Sequence, residues 1–133
     1  MQQACTRLVK PIGPRSPLHA SSTGKSVLAH LPPNHIESYL EAGLSAVTTK
    51  TITDPEALRT DLQVIRERGY AITHQELTEG IVSVAACIQA GRSRPIAAIS
   101  ISAPAARMAP RMPCCIRTEV VASAARVAAQ LRK

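Results

Sequence analysis

The residues of this sequence that could do chemistry are mostly hydroxyls. Ser83, Ser100 and Ser102 lie in two runs rich in Ile, Val, Ala and Ser, residues 81–88 and 96–102. A second hydroxyl group, Ser21-Ser22-Thr23, stands just before Gly24-Lys25-Ser26. Strand side chains alternate, and cross-strand partners share a face. Ile81, Ser83, Ala85 and Cys87 therefore fall on one face of the first run, and Ile96, Ala98, Ser100 and Ser102 on one face of the second. If Ser83 pairs near Ser100 or Ser102, that face is small and hydroxyl-bearing, while Val82, Val84, Ala86, Ile88, Ala97, Ile99 and Ile101 form a bulky apolar one. The bulky face is core. The small face leaves volume and donors for a small polar ligand, or else simply admits a close-packed helix with its hydroxyls bonded to backbone.

Hydroxyls and backbone N–H groups at a helix start form a carboxylate site, which makes Ser22, Thr23 and Gly24 the second half of the candidate. Gly24-Lys25-Ser26 also resembles the end of a phosphate-binding loop. That motif needs a glycine where His19 stands and a strand immediately before it, and the sequence has neither. Catalysis is a weaker reading. His19 or His74 would be the base and Cys87 or Ser83 the nucleophile, yet His74 and Glu76 flank Gln75 without forming a relay. No metal centre is expected, because Cys5, Cys87, Cys114 and Cys115 show no chelating spacing. No cofactor is implied.

The elements that position these residues read as follows. Residues 81–88 and 96–102 form a hairpin joined by residues 89–95, where Gly91, Arg92, Arg94 and Pro95 break the pattern. A helix over 20–31 is capped by hydroxyls and stopped by Pro32-Pro33. Asn34 and Glu37 resemble a capping box opening a short helix that Gly43 ends. Residues 47–53 are linker or edge strand. Thr53-Asp54-Pro55-Glu56 opens a helix with Leu58, Leu62 and Ile65 buried, with Arg59, Asp61, Arg66 and Arg68 in water, and with Gly69 as its stop. Residues 70–75 are a strand, Thr78-Glu79-Gly80 a turn, and 105–113 a loop. A last helix over 115–131 buries Val120, Ala124, Val127 and Leu131. Residues 5–12 are a further short strand.

That order is α+β: helices packed on a mainly antiparallel sheet that looks incomplete at its N-terminal side. At 133 residues the chain is one domain. Aromatic content is 2 %, without Phe or Trp, so the core is Leu, Ile, Val and Ala and a base-stacking platform is excluded. The net charge is +7, and from Arg92 onward only Glu119 offsets eight basic residues. Those residues are scattered singly, which favours solvated surface first, general attraction of anions second and direct DNA contact last. Free thiols and the lack of a leader or long apolar run point to a cytoplasmic protein.

Residues 17–29, Pro-Leu-His-Ala-Ser-Ser-Thr-Gly-Lys-Ser-Val-Leu-Ala, resemble the segment that opens the conserved part of the effector-binding domain in IclR-type bacterial transcriptional regulators. Thr51-Ile52-Thr53 with Leu58, then Arg66-Glu67-Arg68-Gly69-Tyr70, Gln75-Glu76, Gly80, residues 83–88 and residues 95–104 follow that domain in order and at matching spacing. The likeness covers residues 17–107 and, weakly, the last helix. Residues 1–16 read as an irregular N-terminal remnant and 17–133 as the effector-binding domain.

The resemblance implies a GAF-like fold that binds a small organic acid, forms dimers or tetramers, and controls a winged helix-turn-helix domain lying N-terminal to it. No counterpart of that DNA-reading domain is expected in residues 1–15. Carried over by position, the ligand site is Ser22, Thr23, Gly24, Thr73, Ile81, Ser83, Ser100 and Ser102. Family members often have an acidic residue at the position of Thr73 and a glycine at that of Ser22, so a ligand would be met differently here. The other reading is an interaction module without a ligand of its own, pairing with full-length regulators through its sheet edge or helices.

Overall fold

A computed structural model describes residues 15–90, 94–108 and 112–131. Four α-helices, one 3-10 turn and three strands follow in the order α1 (Ser22–Leu28), α2 (Pro33–Glu41), α3 (Pro55–Arg68), β1 (Ala71–His74), β2 (Ile81–Ala90), β3 (Arg94–Pro104), the 3-10 turn (Ala105–Arg107) and α4 (Met112–Leu131). The sheet is antiparallel throughout, in the order β1-β2-β3. It is the expected α+β layout with an antiparallel sheet. The strand expected over residues 5–12, and most of the N-terminal remnant, lie outside the described residues.

The hairpin forms where alternation placed it, and both strands run longer than expected, leaving only residues 91–93 between them. Its bulky face is core. Ala86, Ile88 and Ile99 pack against Ile116, Val120, Ala124 and Ala128 of α4. Spacing by four residues lines those positions along one side of a helix, and the two alanines let it sit close to the sheet. The expected stripe has its C-terminal half in the wrong phase: Val127 and Leu131 are 38 % and 55 % exposed. Helix α4 also begins earlier than expected, at Met112.

The small face is covered from the other side. Ala71 of β1 clusters with Leu28 and Ala29 at the end of α1, with Leu40 of α2, and with Leu58, Leu62 and Ile65 of α3. Helix α1 therefore lies directly on the hydroxyl-bearing face, with α3 behind it. Helix α3 follows its sequence signals closely. The Asp54 carboxylate accepts from Ala57 N at 3.0 Å, Pro55 opens the helix, and Gly69 closes it at φ 87°, a left-handed conformation that glycine adopts freely.

Several local readings give way to packing. Helix α1 has seven residues rather than twelve; Ser21 is its cap, accepting from Gly24 N at 3.0 Å. Helix α2 starts at Pro33, so Asn34 lies inside it and makes no cap. Glu37 instead takes two bonds from Arg59 at 2.9 and 2.7 Å. Those bonds hold its carboxyl below the usual range, and the carboxylate holds the guanidinium above its own. Residues 47–53 form turns, not a strand. Thr51 Oγ1 there accepts from the backbone N–H groups of Val47 and Thr48 and donates to Glu76 O at 2.6 Å. Arg66, placed in water by the helical pattern, donates to Ala29 O at 2.9 Å and Leu31 O at 3.1 Å. Those carbonyls at the end of α1 need outside donors.

Candidate functional site

Three strands deliver the hydroxyls to one face. Thr73 pairs with Ser83, Ser83 with Ser102, and Ala85 with Ser100. Paired residues share a face, so Thr73, Ser83, Ser100 and Ser102 stand together on the α1 side. Ser83 Oγ and Ser102 Oγ are 2.6 Å apart. Ile81 is on the same face at the end of the hairpin, paired with Pro104. Thr73 is buried, Ser83 and Ser100 are half-buried, and Ser102 is exposed, so the face opens to solvent along β3.

Helix α1 contributes the second group. Ser22 is buried and Thr23 half-buried, while Thr23 O accepts from Ser26 Oγ at 2.8 Å. Every fully buried side-chain polar atom among the described residues has a partner. The hydroxyls of Ser22, Thr23, Thr73 and Ser100 take no part in any side-chain bond among those residues, and they therefore reach accessible space. An unpaired hydroxyl with access can donate to one atom and accept from another.

Gly24 plays a different part from the one expected. Its N–H is already held by Ser21, so it is not a free donor for an anion. A Cβ added there would meet Leu18 O and Ser21 Oγ at 2.5 Å and Leu18 Cα at 2.6 Å. Gly24 lets the turn before α1 close tightly over the helix, which is a packing role.

Directly behind α1 lies an ionic cluster that sequence reasoning missed. Lys25 is 1 % exposed; its Nζ donates to Asp61 Oδ2 of α3 at 2.7 Å and to Glu76 Oε1 after β1. Glu76 Oε2 also accepts from His74 N at 3.1 Å. A buried ammonium requires such partners. The sequence held one usable signal: a lysine one turn into a helix whose neighbours are small or apolar. Its partners, however, lie 36 and 51 residues away.

The residues weighed for catalysis are otherwise employed. His19 is buried, with Nδ1 2.8 Å from Tyr39 Oη and Nε2 2.8 Å from Ser45 O. Burial pushes the Cys87 thiol up to about 11, which keeps it protonated and a poor nucleophile near neutrality. His74 is exposed. Among the described residues no group of three or more His, Cys, Asp or Glu is placed to hold a metal ion. No helix among them is long and apolar enough to cross a membrane.

Comparison with known proteins places this geometry in context. The family model for the bacterial transcriptional regulator IclR C-terminal region matches residues 1–130. The acetate operon repressor of Salmonella typhimurium is 40 % identical over 111 residues, which are 80 % of this chain and 40 % of the repressor. A solved IclR transcriptional regulator from Alicyclobacillus acidocaldarius superposes with a TM-score of 0.88 at 27 % identity, over 96 % of this chain and 51 % of that one. The inducer-binding domain of PobR from Acinetobacter, solved as a double mutant with 3-hydroxybenzoic acid, superposes with a TM-score of 0.80 at 26 % identity, over 96 % of this chain and 74 % of that one. The chain thus spans about 40 % of the length of the first curated relatives it matches.

Proposed function

This chain belongs to the bacterial transcriptional regulator IclR C-terminal family, and from that premise we propose that it senses a small organic acid on the hydroxyl face beneath α1. The carrying observation is the Ser83–Ser102 hydroxyl pair at 2.6 Å, with Thr73 and Ser100 beside it on the same face. A carboxylate accepts bonds from Ser83, Ser100 and Ser102 along the strands and from Ser22 and Thr23 on α1. Ile81 supplies apolar contact. Such bonds to a charged acceptor are shorter and stronger than neutral ones. The superposed PobR domain holds an aromatic carboxylic acid, a ligand of the chemical class this face suits.

Signal transfer follows from where the ligand sits. It bridges α1 to β2 and β3, so it favours whichever packing of helix on sheet lets it bond to both. The size of the switch is the difference in affinity between the two packings. Reading an operator is left to a winged helix-turn-helix domain, and the sensing domain acts as a homo-oligomer in a cytoplasmic regulator. Calorimetric titration of the folded chain with a panel of small organic acids tests the reading. Heat from at least one member, abolished in Ser83→Ala plus Ser100→Ala, supports it; silence across the panel overturns it.

A second reading rests on β3. Among the described residues this strand pairs only with β2, and Ile96 and Ile101 on it are 50 % and 39 % exposed. Such an edge can accept another strand, as expected of an interaction module that pairs with a full-length regulator. Co-purification with such a regulator, unchanged by the same two serine substitutions and without any acid bound, favours this reading over the first.

A further inference from the structure

A second cleft lies at the opposite end of the hairpin. It has a volume of about 750 Å³ and is lined by His30, Leu31, Pro32, His35, Arg66, Arg94 and Pro95. Its lining comes from the α1–α2 corner, from α3 and from the start of β3. Among the described residues its ionisable lining is two arginines and two histidines, without a carboxylate. Pro95 and Ser102 are seven residues apart on β3, about 23 Å at the rise of a strand. The cleft is therefore separate from the hydroxyl face.

One of its arginines is already fixed in place. Arg66 Nε donates to Ala29 O at 2.9 Å and Nη2 to Leu31 O at 3.1 Å. These bonds use two of the five guanidinium N–H donors. The remaining donors are held by a rigid fork, so little side-chain freedom is lost when an anion arrives. His30 is fixed too, because its Nδ1 is 2.7 Å from Ser26 O. A carbonyl can only accept, so Nδ1 carries the hydrogen and Nε2 is left for another partner. Leu31, Pro32 and Pro95 supply the apolar part of its lining. The volume lies within the range of small-molecule sites.

We infer that this cleft is a second ligand site, for a compact organic dianion whose charged groups meet Arg66 and Arg94 and whose carbon body lies on Leu31 and Pro95. Two doubly charged head chemistries satisfy it, a phosphate ester and a dicarboxylate, and they share the need for two cationic partners. A ligand here ties the α1–α2 corner to the start of β3.

The test is calorimetric titration of the folded chain with three probes: inorganic phosphate, succinate, and butyrate as a singly charged control. The inference expects phosphate or succinate to bind with a dissociation constant below about 1 mM and at least about tenfold more tightly than butyrate. Whichever dianion binds more tightly identifies the head chemistry. Arg94→Gln, which breaks no hydrogen bond of the fold, should weaken that binding about tenfold or more. Ser102→Ala should leave it unchanged, which separates this site from the hydroxyl face. Failure of both dianions to bind, butyrate binding that is as tight and as sensitive to Arg94→Gln, an Arg94→Gln variant of unaltered affinity, or a loss on Ser102→Ala each overturns it.

Discussion

Ser83 and Ser102 are 19 residues apart in sequence and face each other as a register pair, their hydroxyl oxygens 2.6 Å apart. One of the two must donate to the other in the unliganded chain. On the proposed reading, a carboxylate arriving between them accepts a hydrogen bond from each hydroxyl, so ligand binding replaces a neutral bond with two charge-assisted ones.

Ser83→Ala and Ser102→Ala should therefore each weaken the acid ligand. Loss of a hydrogen bond to a charged group costs roughly 1.5–3 kcal/mol, or about 10- to 100-fold in dissociation constant. Stability should fall by about 1 kcal/mol or less, since the pair is open to solvent. Calorimetry and a urea melt on the same samples read the two effects.

Lys25→Met should be among the most damaging single changes. It removes the cation from between Asp61 and Glu76 and leaves Glu76, 8 % exposed, with an uncompensated charge. Breaking a buried pair in this way costs about 3–5 kcal/mol. Denaturant unfolding of Lys25→Met against the parent measures it, and Lys25→Met combined with Glu76→Gln should recover part of the loss.

Gly24→Ala should destabilise although alanine is the better helix former. The new Cβ meets the Leu18 backbone at 2.5–2.6 Å, and backbone cannot step aside as a side chain would. A cost of about 1–3 kcal/mol is expected, read as a lowered thermal midpoint. At Gly43 (φ 93°) nothing lies within 4 Å, so alanine there pays only for its backbone conformation, about 1 kcal/mol.

Cys87 should resist alkylation near pH 8 while the exposed Cys115 reacts. With its thiol pushed up to about 11 by burial, about one molecule in a thousand carries the Cys87 thiolate at that pH. The stability effect has a definite sign. The folded state keeps its proton from about pH 9, where the unfolded thiol loses it, up to about pH 11. The unfolded state binds fewer protons in that window, so stability falls as pH rises through it. Mass-mapped labelling and a melt series from pH 8 to 11 check both statements.

Sequence alone determined what depends on near neighbours. The two faces of the hairpin were readable because strand side chains alternate whatever surrounds them. Asp54, Pro55 and Gly69 marked the ends of α3 because a cap is a bond between residues three or four apart. Tertiary structure decided the rest, because those outcomes depend on groups far away in the chain. Lys25 finds Asp61 and Glu76 only once α1 lies between α3 and the sheet. Gly24 is needed only because the turn at Leu18 folds back over it. Along α4, Ala128 rather than Val127 is buried, since close approach to Ala86 and Ile88 selects the smaller side chain. The serines were legible as one face of a hairpin; that α1 lies over that face, leaving hydroxyls of Thr73 and Ser100 without a partner, was fixed by which side of the sheet each helix covers.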